Sequence, residues 1–271
     1  MVEYVSGNDM TGKYDLIFGI GAACSCSQSL RAAGLQFASF PWDWIAFPSM
    51  PERARIMCEG YRGWMEMEDL VYMGPIGDSG KAQYRNRKNG ILFNHEFSAD
   101  VPLAESFPEV KARYDRRIAR LDRLIRSARR PVLVLRLDTP AKAGVPTSLE
   151  DCRECRRLLS EGYPGIRFEV CLISLDRGRA FADRIEEEPE PGLLHVAFDY
   201  ADHTPGVPDF TVDFNLLAPF LKSRFSVRDY RTPEEKRAWR ETCRRKKYEK
   251  AGVSSFWGLV AHRIRKHLHL T

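Results

Sequence analysis

Cys24 and Cys26 stand in Gly19-Ile-Gly-Ala-Ala-Cys-Ser-Cys-Ser27, between an apolar run from Tyr14 to Gly21 and a helix-forming stretch from Gln28 to Gly34. A cysteine at the start of a helix feels the positive end of the helix dipole, which favours the thiolate. Free backbone N–H groups at the same place can hold an oxyanion. Cys24 is therefore a candidate nucleophile, with Cys26 as its nearest rival. Two simpler readings stand beside this one: the glycine pair closes a turn or receives a phosphate at the helix start, and the small cysteines fill the core.

Two further clusters have chemical residue types. Cys152-Arg-Glu-Cys155 has the form of a redox or zinc half-motif, but it falls in a capped helix where Leu149, Cys152, Cys155 and Leu159 share one face, so it reads as core packing. Asp199-Tyr-Ala-Asp-His-Thr204 follows a strand and is compatible with a sugar nucleotide, a divalent metal or a polar turn; the turn is the reading adopted. No cofactor and no metal are expected.

The elements that position these residues follow from periodicity and punctuation. The run 14–21 predicts a strand, 28–34 a short helix closed by Gly34, and 35–40 an extended segment entering Pro41-Trp-Asp-Trp44. A short helix is expected over 51–60. Asn89-Gly90 predicts a hairpin pairing 83–87 with 91–95, which puts His95 at the far end of its strand. Ser106-Phe-Pro-Glu109 reads as a capping box, and Val110, Tyr114, Ile118, Leu121 and Ile125 recur at helical spacing behind it. Val132 to Asp138 is a buried strand delivering Arg136 and Asp138 at its C-terminal end. A helix over 148–161, a strand over 166–175, a Glu/Pro linker over 186–191 and a strand over 193–200 complete the plan.

Strands alternating with helices of this length predict an α/β fold: a mainly parallel sheet with helices on both faces, a β-hairpin insertion and a basic helical C-terminal extension. The division expected is a domain over 1–220 and an extension over 221–271, the latter opened by the capping box Thr232-Pro-Glu-Glu235.

Composition bounds the function. At 271 residues, with 44% hydrophobic, 29% charged and 11% aromatic side chains, the chain is neither a disulfide-stapled miniprotein nor disordered. Its formal charge of +5 is uneven: from Leu221 onward there are 15 Lys/Arg and 5 Asp/Glu, which leaves residues 1–220 at −5. A nucleic-acid-binding body is not expected. Seven irregularly spaced cysteines behind an N-terminus without a signal-peptide pattern predict a reducing, cytoplasmic setting. In the tail, Phe256, Val260, Ile264 and Leu268 repeat at four-residue spacing beside Arg263, Arg265 and Lys266, the pattern of an amphipathic helix. Residues 253–271 would then hold the protein on an anionic inner membrane surface, or dock on its own body.

Gly21-Ala-Ala-Cys24 with Ser27 and Leu30, then Leu35…Ser39-Phe-Pro-Trp-Asp-Trp-Ile45, Phe93-Asn-His-Glu-Phe97 and Tyr114-Asp-Arg-Arg-Ile-Ala-Arg120 together resemble a bacterial family of unknown function labelled putative papain-like cysteine peptidases. The resemblance spans about residues 14–200. It implies Cys24 as nucleophile and His95 as its base, and a setting among cell-envelope polysaccharides. The chain departs from papain itself: the Cys-Gly-Ser/Ala-Cys-Trp/Tyr frame is missing, and His95 follows Cys24 far too closely. A Cys–His pair needs a third group to orient the imidazole, for which Asp138 is the first choice and Asp43 the second. The expected activity is a cysteine-dependent hydrolase or acyl transferase acting on a peptide, amide or glycan-linked ester. The alternatives are a glycosyltransferase-like enzyme binding a nucleotide sugar at the glycine-rich turn, with Arg136 or Arg116 on the phosphates, and a non-catalytic scaffold at the membrane surface.

Overall fold

The computed structural model describes residues 12–21, 24–45, 47–138, 146–176, 184–199 and 214–251. In chain order the strands and helices begin with β1 (Gly12–Tyr14), β2 (Leu16–Gly19), α1 (Cys24–Ala32), α2 (Met50–Cys58), β3 (Leu70–Pro75), β4 (Lys81–Asn86), β5 (Leu92–Ser98) and α3 (Leu103–Arg126). They continue with β6 (Val132–Asp138), α4 (Leu149–Gly162), β7 (Phe168–Asp176), β8 (Arg184–Glu190), β9 (Leu193–Asp199), α5 (Phe214–Arg224), β10 (Phe225–Val227) and α6 (Pro233–Ala251).

The fold is α/β. Its main sheet has the order β2-β6-β7-β9-β8, in which the first four strands are parallel and β8 runs antiparallel at the edge. All seven residues of β6 are buried, as a central strand covered on both faces requires. Leu133, Leu135 and Leu137 share one face with Cys171, Ile173, Val196 and Phe198, and Cys26 and Leu30 of α1 and Leu217 and Leu221 of α5 join that cluster. Residues of the other parity point the opposite way. There α4 packs on β7 and along α2, which brings Cys152 within electrostatic reach of Arg136 and Asp138.

Several expectations change in detail. The predicted strand from Tyr14 to Gly21 is two strands: Tyr14 closes β1, which pairs with β10, and Asp15 turns the chain before β2 enters the main sheet. The Asp15 carboxylate accepts the Arg129 and Arg130 N–H groups at 2.7 and 2.8 Å and pins that bend. The hairpin forms, with Tyr84 opposite Phe93, but β3 joins it as a third antiparallel strand, and His95 lies in the middle of β5 instead of at its end. Helix α3 starts at Leu103, so Ser106-Phe-Pro-Glu109 lies inside its first turns, where Pro108 removes a single N–H from the ladder. The predicted Glu/Pro linker is the edge strand β8. An edge position tolerates Pro189 because one side of the strand has no ladder to complete.

The chain divides into two compact units, 1–228 and 229–271, so α5 and β10 fall in the first. In the second, α6 begins with the expected reciprocal cap: the Thr232 hydroxyl accepts from the Glu235 N–H at 3.2 Å, and Glu235 accepts from the Thr232 N–H at 2.9 Å. The tail over 253–271 lies outside the described residues.

Candidate active site

Cys24 is the first residue of α1, reached from the C-terminal end of β2, and its side chain is half-buried. The hydroxyl of Ser27, one turn on, donates to the Cys24 carbonyl at 3.1 Å and contacts the Asp43 carbonyl at 3.2 Å. The first turn of α1 is thereby fastened to the short 3-10 helix Pro41–Trp44. That segment continues into Ile45, which bridges to Phe93 of β5. The Trp44 ring meets the His95 ring edge-on, with centroids 6.0 Å apart. Ser27 and the Pro41–Ile45 segment thus form a continuous connection from Cys24 to the exposed His95.

Cys26 has a different setting. Its thiol is buried against the Leu135 carbonyl at 3.5 Å, and burial pushes its pKa up to about 12. A Cβ at Gly21 would lie 2.5 Å from the Cys26 Cβ, and one at Gly19 would lie 2.9 Å from its sulfur. The glycine pair therefore makes room for Cys26, and Cys26 is a core residue rather than a rival nucleophile. Cys152 and Cys155 are core residues as well: both are buried on α4, and burial raises the thiol of Cys152 to about 12 and holds that of Cys155 well above the ordinary thiol value.

Both predicted carboxylates are enclosed. Asp43 accepts from Arg31 at 2.7 Å, from the Gln36 amide at 2.9 and 3.0 Å and from the Phe40 N–H at 3.0 Å. Burial pushes this carboxyl above its ordinary value against the opposing pull of Arg31, the Phe40 N–H and Gln36. Asp138 accepts from Arg136 Nε at 2.6 Å and from the Thr147 N–H at 2.6 Å, which ties the end of β6 to the entry of α4. Arg136 is thus committed to Asp138 and, at 3.4 Å, to the Ile20 carbonyl, whereas Arg116 lies exposed on α3.

One residue of the site was not anticipated. Arg53 of α2 is wholly buried and donates to four carbonyls: Pro48 at 2.8 Å, Ile20 and Ile45 at 3.1 Å, and Gly21 at 3.3 Å. Its guanidinium also lies over the Trp42 ring at 5.1 Å. Burial, with Arg136 nearby, holds its pKa well below the usual arginine value. The signal was present in the sequence, because Met50, Arg53, Ala54 and Met57 form the buried stripe of α2 and an arginine there must find partners inside.

Residues 22 and 23, which precede Cys24, and 200–204 of the Asp/His loop lie outside the described residues. Among the described residues no group of three or more His, Cys, Asp or Glu is arranged to hold a metal ion.

A family described as putative papain-like cysteine peptidase has a sequence model that matches residues 15–178. No curated protein and no solved structure matches the chain. The matched span contains Cys24, Asp43, His95 and Asp138 and ends before α5.

Proposed function

The chain belongs to the family described as putative papain-like cysteine peptidase, and from that premise we propose a cysteine-dependent hydrolase or acyl transferase that uses Cys24 and His95. The observation that carries the reading is the contrast between two neighbouring thiols: Cys24 heads α1 half-buried, while Cys26 is sealed in the core. The connection through Ser27, Asp43 and Trp44 to His95 supports the pairing.

The Cys24 sulfur attacks a carbonyl carbon as its proton passes to His95. Collapse of the tetrahedral adduct expels an amine or alcohol, which takes that proton and leaves an acyl group on Cys24. Water, or an acceptor nucleophile in a transferase, then attacks the thioester with His95 as base and restores the thiol. Asp138 is the first choice for the carboxylate that orients His95, and Asp43 the second. The substrate class is a peptide, amide or glycan-linked ester in a cell-envelope polysaccharide setting. The enzyme would work in the cytoplasm, with residues 253–271 on the inner membrane surface.

Iodoacetamide labelling near neutral pH, with the modified residue located by mass spectrometry, tests the proposal. Cys24 should be the fastest site, Cys24→Ala should remove that phase, and His95→Asn should slow it. Undiminished labelling of the Cys24→Ala chain overturns the assignment.

A further inference from the structure

Helix α3 divides its charges by face. Asp115 and Asp122 lie on one side, paired with Lys111 at 2.6 Å and with Arg126 at 2.9 Å. The opposite side carries Arg113, Arg116, Arg117, Arg120 and Arg123, which recur at helical spacing with no acidic residue between them on that face. Arg113 and Arg117 share one carboxylate, Glu96, at 2.8 and 3.4 Å, and Arg113 also lies 3.8 Å from Glu109. Arg120 donates to the Ser39 carbonyl at 3.2 Å. Among the described residues Arg116, Arg120 and Arg123 pair with no carboxylate. A basic stripe thus stands out from residues 1–220, whose balance is acidic.

The stripe borders the candidate active site. Glu96, which it holds, follows His95 in β5. The Ser39 hydroxyl accepts from Arg31 at 3.0 Å while the Ser39 carbonyl accepts from Arg120, and all three residues are partly exposed. Arg31 lies over the Trp44 ring at 5.8 Å, and that ring meets His95. On α1, Arg31 follows Cys24 by two turns along the same face, ~10 Å away. Arg31 is paired with Asp43, so six arginines here face three carboxylates, Asp43, Glu96 and Glu109.

We infer that the substrate attacked by Cys24 carries an oxyanion, a carboxylate or a phosphate, about two helical turns from its reacting carbonyl, seated at Ser39 between Arg31 and Arg120. Like charges gathered this closely repel one another, and a bound anion offsets that repulsion. Every cation of the stripe is an arginine, whose planar fork matches a pair of carboxylate or phosphate oxygens, as a lysine ammonium does not. The remaining arginines draw the same negative charge toward the site. The inference rests on the thiol reading above and narrows its substrate to an acidic one.

The test gives the full-length chain maleimides that share one electrophile and a tether of about that reach but end in a carboxylate, a phosphate or a neutral amide. Mass spectrometry follows addition at Cys24, and 2-mercaptoethanol supplies the intrinsic ratios of rate. Ratios are read because ionisation of the thiol favours all the reagents alike. At ~0.01 M ionic strength at least one anionic reagent should outpace the amide ~5-fold, the larger advantage identifying the oxyanion, and ~1 M salt should abolish most of it. Arg116→Gln/Arg120→Gln, which breaks no ion pair, should lose about half of the advantage or more. Equal rates at a reactive Cys24 overturn this inference and leave the thiol reading standing. An advantage undiminished in the double variant overturns it too, since α1 alone then attracts the anion. A Cys24 inert to every reagent removes the thiol reading and this inference together.

Discussion

The Arg53 guanidinium bonds to carbonyls on both sides of the Cys24 site, Ile20 and Gly21 on one and Ile45 and Pro48 on the other. It joins the turn that leads to Cys24 to the segment whose Trp44 meets His95. Arg53→Met retains bulk but leaves four buried carbonyls without their donor, and should cost about 2–4 kcal/mol in urea unfolding at unchanged slope. Arg53→Lys, which keeps the charge on a single point, should cost less. A loss below ~1 kcal/mol for the methionine variant would show that other donors replace it. The same side chain marks what residue-level reading reaches. Cys24 and His95 are recognisable by type and motif, but a buried arginine whose hydrogen bonds all go to backbone carbonyls shows itself only as a break in an apolar stripe.

Among the elements, the three-stranded sheet is fastened by Asp69, whose carboxylate forms an ion pair with Lys88 at 2.7 Å and accepts from Arg87 Nε at 3.0 Å at the hairpin turn. These two bonds hold its pKa below the ordinary 3.8. Its folded value therefore lies below its unfolded one, so this stabilisation is complete above the unfolded value and disappears as pH falls through the folded one. Acid unfolding followed by circular dichroism should show a steeper loss in the native chain than in Asp69→Asn between ~pH 5 and ~pH 2. Coincident curves would remove Asp69 from the account. The hairpin, β6 and α4 were legible because Asn89-Gly90, an unbroken apolar run and the Cys152, Cys155 and Leu159 face are local signals. β8 was not, because Arg184-Ile-Glu-Glu-Glu-Pro-Glu190 lacks apolar alternation and becomes a strand only by pairing with β9. The start of α3 was misplaced because Ser106-Phe-Pro-Glu109 is a valid cap pattern that here lies within the helix. Its Ser106 hydroxyl instead reaches back to the Pro102 carbonyl at 3.3 Å.

At the scale of the whole molecule, charge and chemistry are divided along the chain, with the candidate thiol site in the acidic portion and the excess of lysine and arginine after Leu221. No helix among the described residues is long and apolar enough to cross a membrane. The proposed membrane role of residues 253–271 rests on Arg263, Arg265 and Lys266 beside the apolar repeat. At ~1 kcal/mol per basic residue, the three together correspond to ~100-fold in affinity. The full chain should therefore sediment with phosphatidylglycerol vesicles and release in high salt, and a chain lacking 253–271 should stay in the supernatant. Equal sedimentation of the two would assign the tail another role. The main sheet has a further consequence at its outer edge. β8 presents Glu186, Glu187, Glu188 and Glu190 with Pro189 among them, and its register slips between Glu187 and Glu190. A strand from another polypeptide adding there would lose a ladder bond at the proline and find no straight template. The sheet thus has a built-in guard against aggregation.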